Sequence, residues 1–261
     1  MNSNNTVFVI PKRSQLIQIW TEGNGKVQRD LGYATGEYPP LFVTNNDEVY
    51  FQSANQWKIY RWKEGVGSQE LEQQFNVECY RFVIDTNNTL YCSAYRQNQI
   101  LAISLSDNGS TVSIVAGTGS GGSASDQLND PRGIFVNTNF DLYVADFGNS
   151  RIQRFRSGEK NGTTVAGKNC PGDLTLANPS DAVLDADGYL YITDKGKNRV
   201  IRVGQGKYQC IAGCLGTPGL NQHQLNQPTS IRFDSHGNFY IADTDGHRIQ
   251  KSLLLTNSCS K

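Results

Sequence analysis

The sequence predicts an all-β fold, a propeller of short antiparallel sheets, on three observations. The composition is rich in aromatics and glycine, one unit recurs roughly every 45 residues, and apolar and polar residues alternate within each unit. The chain has 261 residues, of which 37% are hydrophobic, enough for a substantial core. Twelve Tyr, eleven Phe and three Trp against a single Met, with 26 Gly and 8 Pro, favour strands and turns over long helices. Lys plus Arg and Asp plus Glu both number 24. There is no net field to draw a polyanion or to coat an anionic membrane. No stretch approaches the roughly 18 apolar residues of a membrane helix. Residues 1–20 are polar at the start and broken by Pro11, Lys12 and Arg13, unlike a signal peptide; a secretion signal is expected to lie upstream or to have been removed.

The repeat is explicit in three gapless segments: LYVADFGNSRIQRF at 142–155, LYITDKGKNRVIRV at 190–203 and FYIADTDGHRIQKS at 239–252. Each follows an apolar segment and a turn, and each unit is introduced by Leu, Asn and Pro, as in LNDP from Leu128, LANP from Leu176 and LNQP from Leu225. Weaker copies begin at Val7, Val49 and Leu90. The marker aromatics Phe8, Tyr50, Tyr91, Tyr143, Tyr191 and Tyr240 are spaced by 42, 41, 52, 48 and 49 residues. That period, cut into four short strands a to d, is the signature of propeller blades. In copy four the strands are expected at 133–137, 141–146, 151–156 and 162–166.

The boundaries place six blades in one domain over 1–261, at about 1–38, 39–77, 78–127, 128–175, 176–224 and 225–261. Matching MNSNNTVFVI to IDTNNTLYCS puts Met1 level with Ile84, so blade one is expected to lack strand a. Blade six runs from strand c into LLLTNSCSK without a turn for strand d. An unpaired sheet edge invites strand addition. The chain is therefore expected either to be part of a longer protein or to assemble as a homo-oligomer or filament.

The pattern resembles the NHL repeat over nearly the whole chain, with Gly246, His247 and Arg248 standing at the family's signature positions in copy six. Copies four to six match well, whereas copies one to three keep the spacing but depart at polar positions. The resemblance implies a six-bladed propeller. The composition looks most like secreted NHL-repeat proteins of invertebrates. Many NHL domains bind protein or RNA, but the RNA binders carry a basic face, and here Lys and Arg are spread through all copies. An RNA-binding NHL domain is therefore the third reading, and no nucleic-acid partner is expected.

Asp146 and Arg151, Asp194 and Arg199, and Asp243 and Arg248 recur five residues apart in copies four to six. The early copies hold Pro11 and Leu16, Ser53 and Lys58, and Ala94 and Gln99, never acid and Arg together. That co-occurrence predicts a structural charge-assisted hydrogen bond across the b-to-c hairpin. A Ca²⁺ site would need six to eight oxygen ligands, and the repeat spreads these acids around the ring instead. Asp85, Asp185 and Asp234, with Asn2 and Asn137 at matching places, are expected to stabilise a-to-b turns through their own backbone. His236 falls in such a turn, His247 in the signature position and His223 in a long loop; none has metal-ligand spacing. GTGSGGS at 117–123 follows a strand without opening a helix, and a flexible loop is expected there.

Six cysteines point to local disulfides Cys79–Cys92 and Cys210–Cys214, leaving Cys170 and Cys259 as a pair by elimination; the alternative is reduced, buried cysteines in a cytosolic propeller. N-glycosylation sequons stand at Asn4, Asn87, Asn108 and Asn161. The function expected is a non-enzymatic, extracellular binding or structural scaffold for a protein or glycan partner, without cofactor, metal or membrane insertion. The alternative is an enzyme, since lyases and lactone hydrolases use similar six-bladed folds with a metal at the axis. Such a centre draws His and carboxylates from several blades, and the three His here all fall in the last repeat region.

Overall fold

The computed structural model describes residues 6–11, 16–20, 29–33, 40–44, 46–53, 57–71, 74–106, 111–168, 170 and 174–253. Every strand is short, because glycine and Asx turns break the apolar alternation every few residues. The first sheet joins β1 (Val7–Val9), β2 (Leu16–Trp20) and β3 (Arg29–Tyr33). The second runs β4 (Leu41–Val43), β5 (Val49–Gln52), β6 (Ile59–Lys63) and β7 (Gly67–Glu70). The third runs β8 (Phe82–Ile84), β9 (Thr89–Ala94), β10 (Gln99–Ser104) and β11 (Ser113–Ala116). The fourth holds β12 (Pro131–Val136), β13 (Leu142–Asp146), β14 (Arg151–Phe155) and β15 (Thr163–Ala166). The fifth holds β16 (Pro179–Leu184), β17 (Leu190–Asp194), β18 (Arg199–Gly204) and β19 (Lys207–Ala212). The sixth holds β20 (Pro228–Phe233), β21 (Phe239–Asp243) and β22 (Arg248–Ser252).

All pairings are antiparallel meanders between sequence neighbours, which is the blade topology of a β-propeller. The inner strands β8, β12, β16 and β20 touch one after another, and β4 touches β8. Five apolar clusters fill the gaps between successive sheets. Between the fourth and fifth sheets, for example, Ile152 and Ala145 meet Ile192, Ile201 and Ala182, all at most 1% exposed.

The blade count needs correction. Five sheets, the second to the sixth, begin with an inner strand, so five blades are built outward from the axis rather than the six expected. The first sheet carries the marker Phe8 in β1 but has no strand inside β1 among the described residues, and it leans on the second sheet through Ile17, Val49 and Phe51. The error came from counting strand b: an aromatic there marks a hairpin, not the strand that lines the axis. The sixth sheet has three strands among the described residues, ending at β22.

Glycine is required where strand d closes on the neighbouring turn. Gly117 and Gly213 have φ of 83° and 67°, and a Cβ on them would stand 2.2 and 2.1 Å from the carbonyls of Asn98 and Asn198. The GTGSGGS segment starts at this close backbone approach and then runs on without helix or strand.

Candidate functional site

The propeller has one rim where the connections into each sheet meet the b-to-c turns, and the repeated acids hold it together. Asp146, Asp194 and Asp243 end strand b and stand opposite Arg151, Arg199 and Arg248 in register. In each pair Oδ2 accepts from the arginine Nε, at 2.6, 2.9 and 2.8 Å, and all three acids are buried. Oδ1 accepts from a backbone N–H in the connection entering the same sheet, from Asn129 at 2.8 Å, Ala177 at 2.7 Å and Asn226 at 2.6 Å. Arg151 donates onward to the carbonyls of Ser123, Ala124 and Gln127, Arg199 to that of Thr175, and Arg248 to those of Leu220, Asn221 and Gln224. The pair is therefore wider than a hairpin contact: it clamps hairpin to connection. Burial pushes the Asp146 and Asp194 carboxyls above their usual range, more than the hydrogen bonds they accept pull them down.

Sheet three lacks the acid and the arginine, and there Cys79 in the connection meets Cys92 in β9, with sulfurs 1.96 Å apart. The disulfide joins the same two elements as the clamp. Cys210 and Cys214 stand with sulfurs 2.18 Å apart. Cys170 forms no disulfide among the described residues, and its expected partner Cys259 lies outside them.

Inside the clamps lies a cluster that the sequence reading missed. Arg81, Gly133, Asp181 and Ser230 each stand ten residues before a marker aromatic, so four successive blades place them at one level, Arg81 just before β8 and the others in β12, β16 and β20. Asp181 is fully buried, and its Oδ2 receives Arg81 Nη2, Arg232 Nη1 at 2.8 Å, Ser230 Oγ at 3.0 Å and the Ile231 N–H at 3.2 Å. Arg81 also donates to Ser230 Oγ at 2.7 Å, reaching past the fourth sheet to the fifth and sixth. Gly133 makes that reach possible: a Cβ there would meet the Asp181 Cα and Oδ1 at 2.5 Å. Two guanidiniums share one carboxylate, and Arg81 Nε is buried with no hydrogen-bond partner. Burial first, then the Arg81 charge, lowers the Arg232 pKa to about 10. The available signal was the shared column, visible only when copies are compared by position rather than by motif.

Around this axial cluster the rim repeats a second arrangement with changing residues. In the third, fourth and sixth sheets the residue before the axial column meets the first residue of the b-to-c turn. Tyr80 packs edge-on against Tyr95 at 6.1 Å, Arg132 lies over the Phe147 ring at 3.4 Å, and Thr229 shares a 2.6 Å hydrogen bond with Thr244. Arg132 is also held by Asp130 and sits 5.3 Å from the Tyr80 ring. Tyr80, Tyr95, Arg132 and Phe147 are all partly exposed.

The remaining candidates lie elsewhere. Asp85, Asp185, Asp234 and Asn137 each accept two backbone N–H bonds within a-to-b turns, and Asn2 lies outside the described residues. His223, His236 and His247 are exposed. Among the described residues no group of three or more His, Cys, Asp or Glu is placed to hold a metal. The sequon residues Asn87 and Asn161 are exposed; Asn4 and Asn108 lie outside the described residues. A cleft of about 270 Å³ beside the GTGSGGS segment is lined by Gln99, Ile114, Gly117, Thr118, Asp126 and Lys160.

The NHL repeat family model matches residues 128–155 and 225–251. No curated protein matches the chain. Solved structures are similar in fold. A protein of unknown function from Bacteroides thetaiotaomicron is 17% identical with a TM-score of 0.76, covering 95% of this chain and 66% of its own. This chain thus spans just under two thirds of that protein's length. A chain of a nidogen/laminin complex is 15% identical with a TM-score of 0.67, covering 94% and 92%. A catalytically inactive virginiamycin B lyase from Staphylococcus aureus, solved with quinupristin, is 16% identical with a TM-score of 0.62, covering 95% and 77%.

Proposed function

We propose that the chain is a non-enzymatic binding module of an oxidising, extracellular compartment, which presents the rim around its axis to a protein partner. One observation carries this reading: the rim pair is Tyr–Tyr in the third sheet, Arg–Phe in the fourth and Thr–Thr in the sixth, while the Asp–Arg pair recurs in the fourth, fifth and sixth sheets. Side chains needed only for folding would repeat with the fold. Partly exposed Tyr and Arg are among the residue types that anchor protein interfaces. The likeness to a chain of a nidogen/laminin complex, which covers 92% of that chain, fits a propeller that engages protein. Two disulfides fit an oxidising compartment, and exposed Asn87 and Asn161 would accept glycans there. An axial metal, which a lyase-like or lactonase-like reading would use, would meet two guanidiniums sharing one acid. The test is chemical cross-linking and mass spectrometry in native material, comparing wild type with Tyr95→Ala and Phe147→Ala. We expect a partner cross-linked through this rim and lost in both variants. A partner retained by both, or a metal held stoichiometrically by the purified protein, overturns the reading.

A further inference from the structure

We propose that the axial cluster is a binding site for a carboxylate, held between Arg81 and Arg232. The inference rests on the rim being the binding face, and it assigns the chemistry at its centre. Asp181 neutralises only one of the two guanidiniums, so Arg81, Asp181 and Arg232 together carry one formal positive charge in a site where Asp181 is fully buried. A structural ion pair needs one cation per acid; the second arginine here costs desolvation and repulsion, and the lowered Arg232 pKa reflects both. Ser230 extends the cluster with a hydroxyl already shared between Arg81 and Asp181.

The unsatisfied donor identifies where the missing charge belongs. Arg81 Nε is buried and has no partner, whereas its Nη2 already donates to Asp181 Oδ2 and Ser230 Oγ, so Nε offers one further charge-assisted bond to an oxyanion. The side chains of Arg81 and Arg232 remain 15% and 32% exposed, so the cluster borders solvent even though Arg81 Nε is buried. A monoanion brings the cluster to neutrality, whereas a dianionic phosphate over-compensates it beside a buried aspartate. The rim above is aromatic on one side, with Tyr80 and Phe147 stacked about Arg132. That surface suits the carbon skeleton of an organic acid or an acidic side chain.

The test uses the full chain with acetate, chloride, acetamide and inorganic phosphate at equal ionic strength, read by calorimetry and thermal shift. We expect saturable stabilisation by acetate, little by chloride or acetamide, and weaker binding of phosphate. Arg81→Lys and Arg232→Lys keep the charge, lose the planar fork, and should each weaken acetate binding at least about tenfold. A blocked peptide carrying one Glu, set against free acetate, separates a partner's acidic side chain from a free organic acid. Equal shifts with acetate and chloride, tighter phosphate than acetate, or unchanged affinity in both variants would each overturn the site. The selectivity series needs no variant, so it decides the matter even if the substitutions unfold the chain. Equal shifts with acetate and chloride, with a partner still lost in Tyr95→Ala, remove the axial site and leave the rim. Acetate bound selectively with partner capture indifferent to Tyr95→Ala does the reverse.

Discussion

The clamps at the rim and the cluster at the axis are built from the same chemistry, aspartate with arginine, and differ in how the chain assembles them. Each clamp joins residues five apart in one hairpin and is repeated in three sheets. The axial cluster joins Arg81, Asp181 and Arg232 from three different inner strands or their approaches, with Arg81 and Asp181 100 residues apart. In the clamp one acid faces one arginine, and the surplus arginine donors end on backbone carbonyls. At the axis one acid faces two arginines, and a donor is left over. Chemistry that repeats with the fold holds the fold, and chemistry that occurs once, out of balance, is available for something else.

The largest effect expected from this contrast is at Asp181. Asp181→Asn leaves two guanidiniums with no counter-charge in a buried site and should cost about 3–5 kcal/mol, read by urea denaturation. Asp146→Asn keeps an acceptor for Asn129 N–H, and Arg151 keeps its three carbonyls, so that loss should be about 1–2 kcal/mol. If Asp146→Asn costs as much as Asp181→Asn, the two regions do not differ in kind. Added acetate should recover none of the Asp146→Asn loss.

The disulfide in sheet three sharpens the same comparison. Cys79–Cys92 ties a connection to strand b where the acid and arginine are missing, and it closes a loop with a sequence separation of 13. Replacing both cysteines by Ser should cost about 3 kcal/mol, somewhat more than one clamp. Removing Cys79–Cys92 and Asp146 together should give additive losses, because each serves its own blade. A strongly non-additive result would mean the blades share one cooperative rim.

What was legible follows this division. The strands of copy four came out within two residues of expectation at each end, 131–136 against 133–137 for the inner one, because alternation and turn residues act locally. The Asp–Arg column, the Cys79–Cys92 and Cys210–Cys214 spacings and the Asp185-type turns were readable for the same reason: all are short-range. The blade count was misread because strand a is the least distinctive strand, and β1 carries the aromatic marker with no strand inside it among the described residues. Arg81, Gly133, Asp181 and Ser230 were invisible to motif reading, since one column holds a cation, no side chain, an acid and a hydroxyl. Only closure of the inner strands around an axis makes those four unlike residues neighbours.

Gly133 tests whether crowding defines the axis. A Cβ there meets Asp181 backbone at 2.5 Å, and Gly133→Ala should cost about 1–3 kcal/mol by forcing β12 and β16 apart. Gly188 has φ of 80° and open space around it, so Gly188→Ala should cost only about 1 kcal/mol, from backbone strain alone. Equal losses would mean that the inner strands yield freely and the axial level is not tightly built.

The smallest expected effect is a pH dependence whose sign separates turn acids from clamp acids. At Asp234 burial pushes the carboxyl up, but the Asn238 side chain, the backbone N–H groups of Asn238 and His236, and the Lys251 charge outweigh it and hold the group below its usual range. Its contribution is complete above the unfolded value and is lost as pH falls through the folded one. Asp146 and Asp194 lie above the usual range, so the folded state takes up their protons first, and their contribution falls as pH rises between the unfolded and folded values. Acidification should therefore weaken the fold through Asp234 while these clamp acids oppose the loss. Asp234→Asn keeps a turn acceptor and should flatten the acid limb of stability, by less than about 1 kcal/mol between pH 6 and pH 3. Asp146→Asn removes an opposing contribution and should steepen it. Urea midpoints across that range check both, and a change of the same sign in the two variants would show that the clamp acids ionise as the turn acids do.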